Sequence, residues 1–210
     1  MRKLHIAAAV ICLFVCVLTC VGCSSTTYNL TKDEAIETKW GAFAQFKVAD
    51  DWKRGTSTGG SNSSSIMEFT PADGGPGDGI LTIKLNNTNL PSYSWGSSVT
   101  YKGWIDYREA VSDIHDKPLE GKTVEDYSME QIGTFSVGDT ELRLYKESYN
   151  VNYSDKAYEA EKADNPNVEQ KTFFEEYHAV LKDGKHDIEI SAVDEGLLRE
   201  FLKTLEVNWG

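Results

Sequence analysis

The stretch "KTFFEEYHAVLKDGKHDIEISAV", residues 171–193, decides the fold. Two runs of alternating apolar and polar residues flank Asp183-Gly184, a pair that tolerates positive φ at both positions and so suits a two-residue hairpin turn. Centring the turn there sets Leu181 opposite His186, Ala179 opposite Ile188 and Tyr177 opposite Ile190, and those six residues form the expected buried face. The other face carries Glu176, His178, Asp187 and Glu189, with His178 across from Glu189, and reads as an ordinary polar surface turned to water.

The same period continues on both sides. Downstream, "DEGLLREFLKTLEVNW" (194–209) puts Leu197, Leu198, Phe201, Leu202 and Leu205 on one helical stripe behind Asp194, a residue suited to capping a helix start. Upstream, "QIGTFSVGDTELRLYKESYNV" (131–151) turns at Gly138-Asp139, with Phe135 opposite Leu142. In "ILTIKLN" (80–86), Leu81, Ile83 and Leu85 share a face; "IMEFT" (66–70) is a short strand; Ala44, Phe46 and Val48 alternate in "AFAQFKV" (42–48). Between them, "TSTGGSNSSS" (56–65) and "PADGGPGDG" (71–79) are loops.

The period changes after Ser98. Trp104, Tyr107, Ala110, Val111 and Ile114 fall on one face of a helix capped by Ser97 or Ser98. The charged run 154–170 has no apolar stripe and reads as a solvated loop or insertion, with at most a short polar helix. The sum is a single domain, residues 39–210, of α+β class: a largely antiparallel sheet of about seven strands with two helices packed on it.

Within that frame, "FAQFKVADDW" (43–52) and the closing hairpin, helix and terminal segment resemble the PsbP and Mog1-like group of α/β/α sandwich proteins. The resemblance covers the first and last quarters of the domain, and Ala49 stands where that group often has proline. It implies a scaffold for protein or small-ligand contacts and carries over no catalytic residue.

All four cysteines, Cys12, Cys16, Cys20 and Cys23, lie at or before position 23. Arg2 and Lys3 precede an apolar run, residues 6–18, that has the length of a signal-peptide core and is too short to span a bilayer comfortably. Cys20-Val21-Gly22-Cys23 follows it and resembles the bacterial lipoprotein processing box, with cysteine where leucine is usual at its first position. That resemblance implies cleavage after residue 22, diacylglycerol on Cys23, and a cell-membrane location on the extracytoplasmic face, with residues 23–38 as a flexible tether. Val17-Leu18-Thr19-Cys20 is a second frame, in which Thr19 is bulkier than Gly22; an ordinary secretory signal with incidental cysteines is the plainer alternative. On the lipoprotein reading the domain keeps no free thiol and depends on its core alone.

The formal net charge is −12, and loss of Arg2 and Lys3 makes it more negative. Phosphate backbones and anionic headgroups repel such a surface, so nucleic acid is excluded as a partner. Catalysis has little to stand on: there is no Gly-x-Ser-x-Gly, no His-Glu-x-x-His, and after position 23 only His115, His178 and His186. Glu176, His178 and Glu189 form a candidate polar patch that could serve as a base or bind a metal, although a cross-strand polar pair explains them as well. His115 in "DIHD" (113–116) fits a helix C-terminus, and Asp73 and Asp78 fit turns. Tyr93, Trp95, Tyr101, Trp104 and Tyr107 fall close together, and Tyr93, Trp95 and Tyr101 are the candidate ligand-binding aromatics. No cofactor, metal or catalytic residue is expected. The resulting expectation is a membrane-anchored, non-catalytic module that binds a protein partner or small ligand. A carrier of an apolar small molecule is the alternative, and an unrecognised hydrolase comes third.

Overall fold

Alternation of apolar and polar side chains builds more than half of the described residues as β-structure. The computed structural model describes residues 28–38, 42–55, 64–74, 79–87, 100–116, 121–164, 169–183 and 186–209. In chain order the strands are β1 (Lys32–Glu37), β2 (Phe43–Val48), β3 (Lys53–Arg54), β4 (Ser64–Thr70), β5 (Leu81–Asn87), β6 (Lys122–Val137), β7 (Thr140–Tyr153), β8 (Lys171–Lys182), β9 (His186–Ala192) and β10 (Glu206–Asn208). The helices are α1 (Tyr101–Asp116), between β5 and β6, α2 (Asp155–Asp164), between β7 and β8, and α3 (Glu195–Leu202), before β10.

These strands form two sheets, one of seven strands in the order β3-β4-β5-β9-β8-β7-β6 and one of three in the order β1-β2-β10. Every pairing is antiparallel. The class is α+β, as the sequence implies, but the described residues hold ten strands and three helices, more than the expected seven and two. Two of the additions come from stretches that read as irregular. Residues 32–37, placed in the tether, pair with β2, and the charged run supplies α2, where the Ser154 hydroxyl accepts from the Ala157 N–H (3.4 Å).

The central hairpin differs from expectation in register. Leu181 pairs with Ile188, Ala179 with Ile190 and Tyr177 with Ala192, so the turn lies one residue later than Asp183-Gly184. The cause is local: the Asp183 carboxylate accepts from the His186 N–H (2.6 Å) and lies 2.8 Å from His186 Nδ1, closing the loop between those two residues. Each partner moves by two positions, so parity is kept and the apolar face survives intact. His186 therefore sits at the rim, against the Trp209 ring at 4.5 Å, rather than opposite Leu181.

That apolar face holds the main core. Leu81, Ile83, Leu85, Leu142, Leu144, Ala179, Ile188 and Ile190 line the large sheet, and Ala44, Phe46 and Val48 line the small one. Helix α3 packs against β2, β8 and β9 and contributes Leu197, Leu198, Phe201 and Leu202, all buried. Phe46 meets Phe201 at 5.1 Å and Phe69 edge-on at 5.9 Å. Each such side chain contributes about 1.5–3 kcal/mol by leaving water. Asp194 caps α3 as the sequence implies, accepting from the Leu197 N–H at 2.7 Å. Its other oxygen accepts from the Tyr28 hydroxyl, which ties the start of the described chain to the helix.

Candidate functional site

The second face of the large sheet departs furthest from expectation. Around His178 it is not solvated, because α1 crosses it there. Among the described side chains of α1, those that touch the sheet include Trp104, buried, with Tyr101 and Ile105 partly buried, and Arg108. Their spacing of three and four is that of one helical face. Tyr107, expected on that face, is 48% exposed. The helix starts at Thr100, whose hydroxyl accepts from the Gly103 N–H (3.1 Å); Ser97 and Ser98 lie outside the described residues, as do the side chains of Ala110, Val111, Ile114 and His115.

Beneath Arg108 the strands present a polar cluster. Antiparallel pairing sets Glu147 of β7 beside Glu176 of β8, and His178, the next residue on that face of β8, beside Ser191 of β9. His178 thus faces Ser191 and not Glu189, whose partner is Val180. His178 is 0% exposed and Glu147 2%. The His178 Nε2–H donates to Glu147 Oε2 at 2.9 Å, since an ionised carboxylate can only accept, and Nδ1 lies 2.9 Å from Ser191 Oγ. Trp104 stands edge-on to the imidazole at 5.5 Å and seals it from above.

Arg108 completes the cluster. Its guanidinium donates from Nε to Glu147 Oε2 (3.0 Å), from a terminal nitrogen to the same oxygen, and to Glu176 Oε2 (2.7 Å), with Glu189 Oε1 at 3.9 Å. The Tyr127 hydroxyl donates to the second Glu147 oxygen at 2.9 Å. Burial opposes charge on Glu147, yet the His178 hydrogen bond and the Arg108 charge outweigh it and hold the carboxyl at about 2. Burial alone would lower Arg108, but Glu147, Glu176 and Glu189 raise it above its ordinary value. Burial, then Glu147, raise the Tyr127 phenol. The site is an ion network locked around a deprotonated glutamate.

Glu147, Glu176 and His178 each place one donor atom within 4.8 Å of the others, a spacing that suits a metal ion. Arg108 already supplies the cation against both carboxylates, however, so the donors are committed within the chain. A second charged pair, Lys182 with Asp187 at 2.6 Å, is sealed on the same face near the hairpin end.

The sequence-derived patch Glu176, His178 and Glu189 is thus brought together, but around Arg108 and Glu147, which sequence reasoning did not single out. Arg108, spaced four residues from Trp104 on the helix, is the signal that could have found them. Tyr101 is half-buried, stacked on the Arg143 guanidinium at 3.8 Å, with its hydroxyl bonded to the Lys182 backbone. Tyr93, Trp95 and Asp78 lie outside the described residues. Two recesses are open surface grooves: one of about 590 Å³ beside Glu34, Phe46 and Arg54, the other of about 500 Å³ between the 137–140 turn and the C-terminal strand.

The molecule is therefore an α+β protein whose large antiparallel sheet is buried by hydrocarbon on one face and by a helix with an ion network on the other. Its structure is similar to the solution structure of cyanobacterial PsbP (CyanoP) from Synechocystis sp. PCC 6803, with 14% identity, a TM-score of 0.43, and coverage of 90% of this chain and 99% of that one. No protein-family profile matches the chain, and no curated protein matches it. No helix among the described residues is long and apolar enough to cross a membrane.

Proposed function

We propose that the chain is a membrane-anchored extracytoplasmic lipoprotein whose domain is a non-catalytic binding module for a protein partner or small ligand. The observation that carries the non-catalytic part is the closure of the polar cluster: His178 is fully buried with both ring nitrogens engaged, and Arg108 occupies the carboxylates that a metal or substrate would need. The anchoring part is supported by the Cys20-Val21-Gly22-Cys23 box. Mass spectrometry of the N-terminal peptide, taken from protein recovered from host membranes, should find diacylglycerol on Cys23, and Cys23→Ser should abolish it. An unmodified N-terminus would sink the anchor. Native mass spectrometry of the same material should then report any retained small molecule. A retained apolar molecule would support a carrier instead.

One observation favours an enzyme as a second reading. Ser191, His178 and Glu147 are hydrogen-bonded in series, the order of a nucleophile, a base and its orienting acid. Ser191 is only 8% exposed and lies within a strand, away from the sharp turn that usually presents such a nucleophile. A fluorophosphonate probe should leave Ser191 unlabelled; labelling that disappears in His178→Ala would make the protein a serine hydrolase.

A further inference from the structure

Phe173 and Phe174 are neighbours on β8 that point to opposite faces, and they are 59% and 42% exposed. Phe174 also stacks on Tyr149 at 5.3 Å; among the described residues the exposed large hydrophobic side chains are Tyr107, Phe173, Phe174 and Val193, and all but Tyr107 fall at this end of β8 and β9, a clustering that singly scattered residues would not show. On one side residues 171–176 pair with β7, from Lys171↔Asn152 to Glu176↔Glu147. On the other side, among the described residues, the β9 ladder stops at Tyr177↔Ala192. Beyond Ala192 the chain continues the line of β9 along its β5 side: the Val193 N–H donates to the Ile80 carbonyl at 3.2 Å, and Asp194 remains extended, with φ −145 and ψ 155. Strand rise and spacing therefore put Asp194 within about 10 Å of the two phenylalanines.

Asp194 is where the N-terminal segment is fastened, through the Tyr28 hydroxyl. Only residues 24–27 separate Tyr28 from Cys23, and fully extended that connection reaches about 17 Å. We infer that Phe173 and Phe174, with the exposed Val193 at the adjoining end of β9, form a membrane-contact patch that dips into the lipid interface when Cys23 is acylated. This rests on the lipid-anchor reading proposed above. Two acyl chains suffice for attachment, so the patch sets orientation: the end of the domain that holds α2 and the start of β8 faces the bilayer. Charge at that end is mixed. Lys122 and Lys171 stand with Asp155 and Glu169, and Glu175 is paired to Lys146 at 2.6 Å, so the attraction is to the apolar interface and not to anionic headgroups.

The lipidated protein offers its own probe site, because processing leaves it no free thiol. Phe173→Cys, labelled with a polarity-sensitive fluorophore, is compared with Asp139→Cys at the far turn between β6 and β7, both in phosphatidylcholine vesicles. The expected result is about a threefold loss of iodide quenching at position 173, with quenching by spin-labelled lipid there and none at 139. A lipidated chain whose position 173 stays as wet as 139 overturns the inference alone. Protection from iodide without lipid quenching means that a protein covers the patch, and overturns it as well. A chain that lacks diacylglycerol on Cys23, read by mass on the same sample, overturns the anchor and the patch together.

Discussion

The two faces of the seven-stranded sheet are closed by opposite means. On the α3 face, leucine, isoleucine and phenylalanine interdigitate, and every contact is replaceable by another of similar volume. On the α1 face, Trp104, Tyr145 and Val180 supply a small apolar cluster, while the rest of the contact is a set of charges that satisfy one another. The first face tolerates loss in proportion to volume removed. The second tolerates removal of a whole network better than removal of one member, since a lone charge left in a dry site costs more than the pair contributes.

Perturbations of each face break or sharpen that contrast. Phe201→Ala should cost about 3–5 kcal/mol in urea unfolding, through lost transfer energy and the cavity left behind. Arg108→Ala should cost about 2–3 kcal/mol, because Glu147 keeps its charge without its principal cation, discounted for the part of Arg108 that reaches solvent. The double variant Arg108→Met/Glu147→Gln should recover much of that loss, whereas Phe46→Ala/Phe201→Ala should show no such recovery; a double variant as unstable as Arg108→Ala would erase the distinction between the faces.

Acid should act through the charged face. Glu147 sits near 2 in the folded chain against an ordinary 4.5, so its contribution is present above about pH 4.5 and is lost as pH falls toward 2. Glu147→Gln should flatten urea midpoints across that window, while Phe201→Ala lowers them evenly. Asp194→Ala, which removes the α3 cap, should cost about 1 kcal/mol. The exposed Lys102–Asp106 pair on the outer side of α1 sets the floor: Lys102→Ala should change stability by less than about 0.5 kcal/mol.

The apolar face was legible in the sequence because period-two alternation needs only one side buried. Leu81, Ile83 and Leu85, the stripe of α3, the Asp194 cap and the Phe135↔Leu142 pairing all follow from local pattern and turn chemistry. His178, Glu147 and Glu189 occupy the alternate positions, where alternation predicts water, and nothing local distinguishes a polar residue facing solvent from one facing a buried arginine. The missing information is tertiary: which way α1 rolls. A wide stripe through Tyr107 suggested one orientation, and the charged residue on the opposite side of Trp104 selected the other. The hairpin register failed for a smaller reason, since the side chain of Asp183 captured His186 and displaced the turn.

The three-stranded sheet holds a further consequence. Its middle strand, β2, pairs with β1 on one side and, through Ala44↔Val207, with the sequence-distant β10 on the other. Segments far apart in sequence therefore close this sheet together, and β2 keeps an open edge until β10 has docked. The small sheet is thus a clasp whose two halves are supplied by distant segments, and cutting the chain anywhere between them leaves β2 with one edge unfilled.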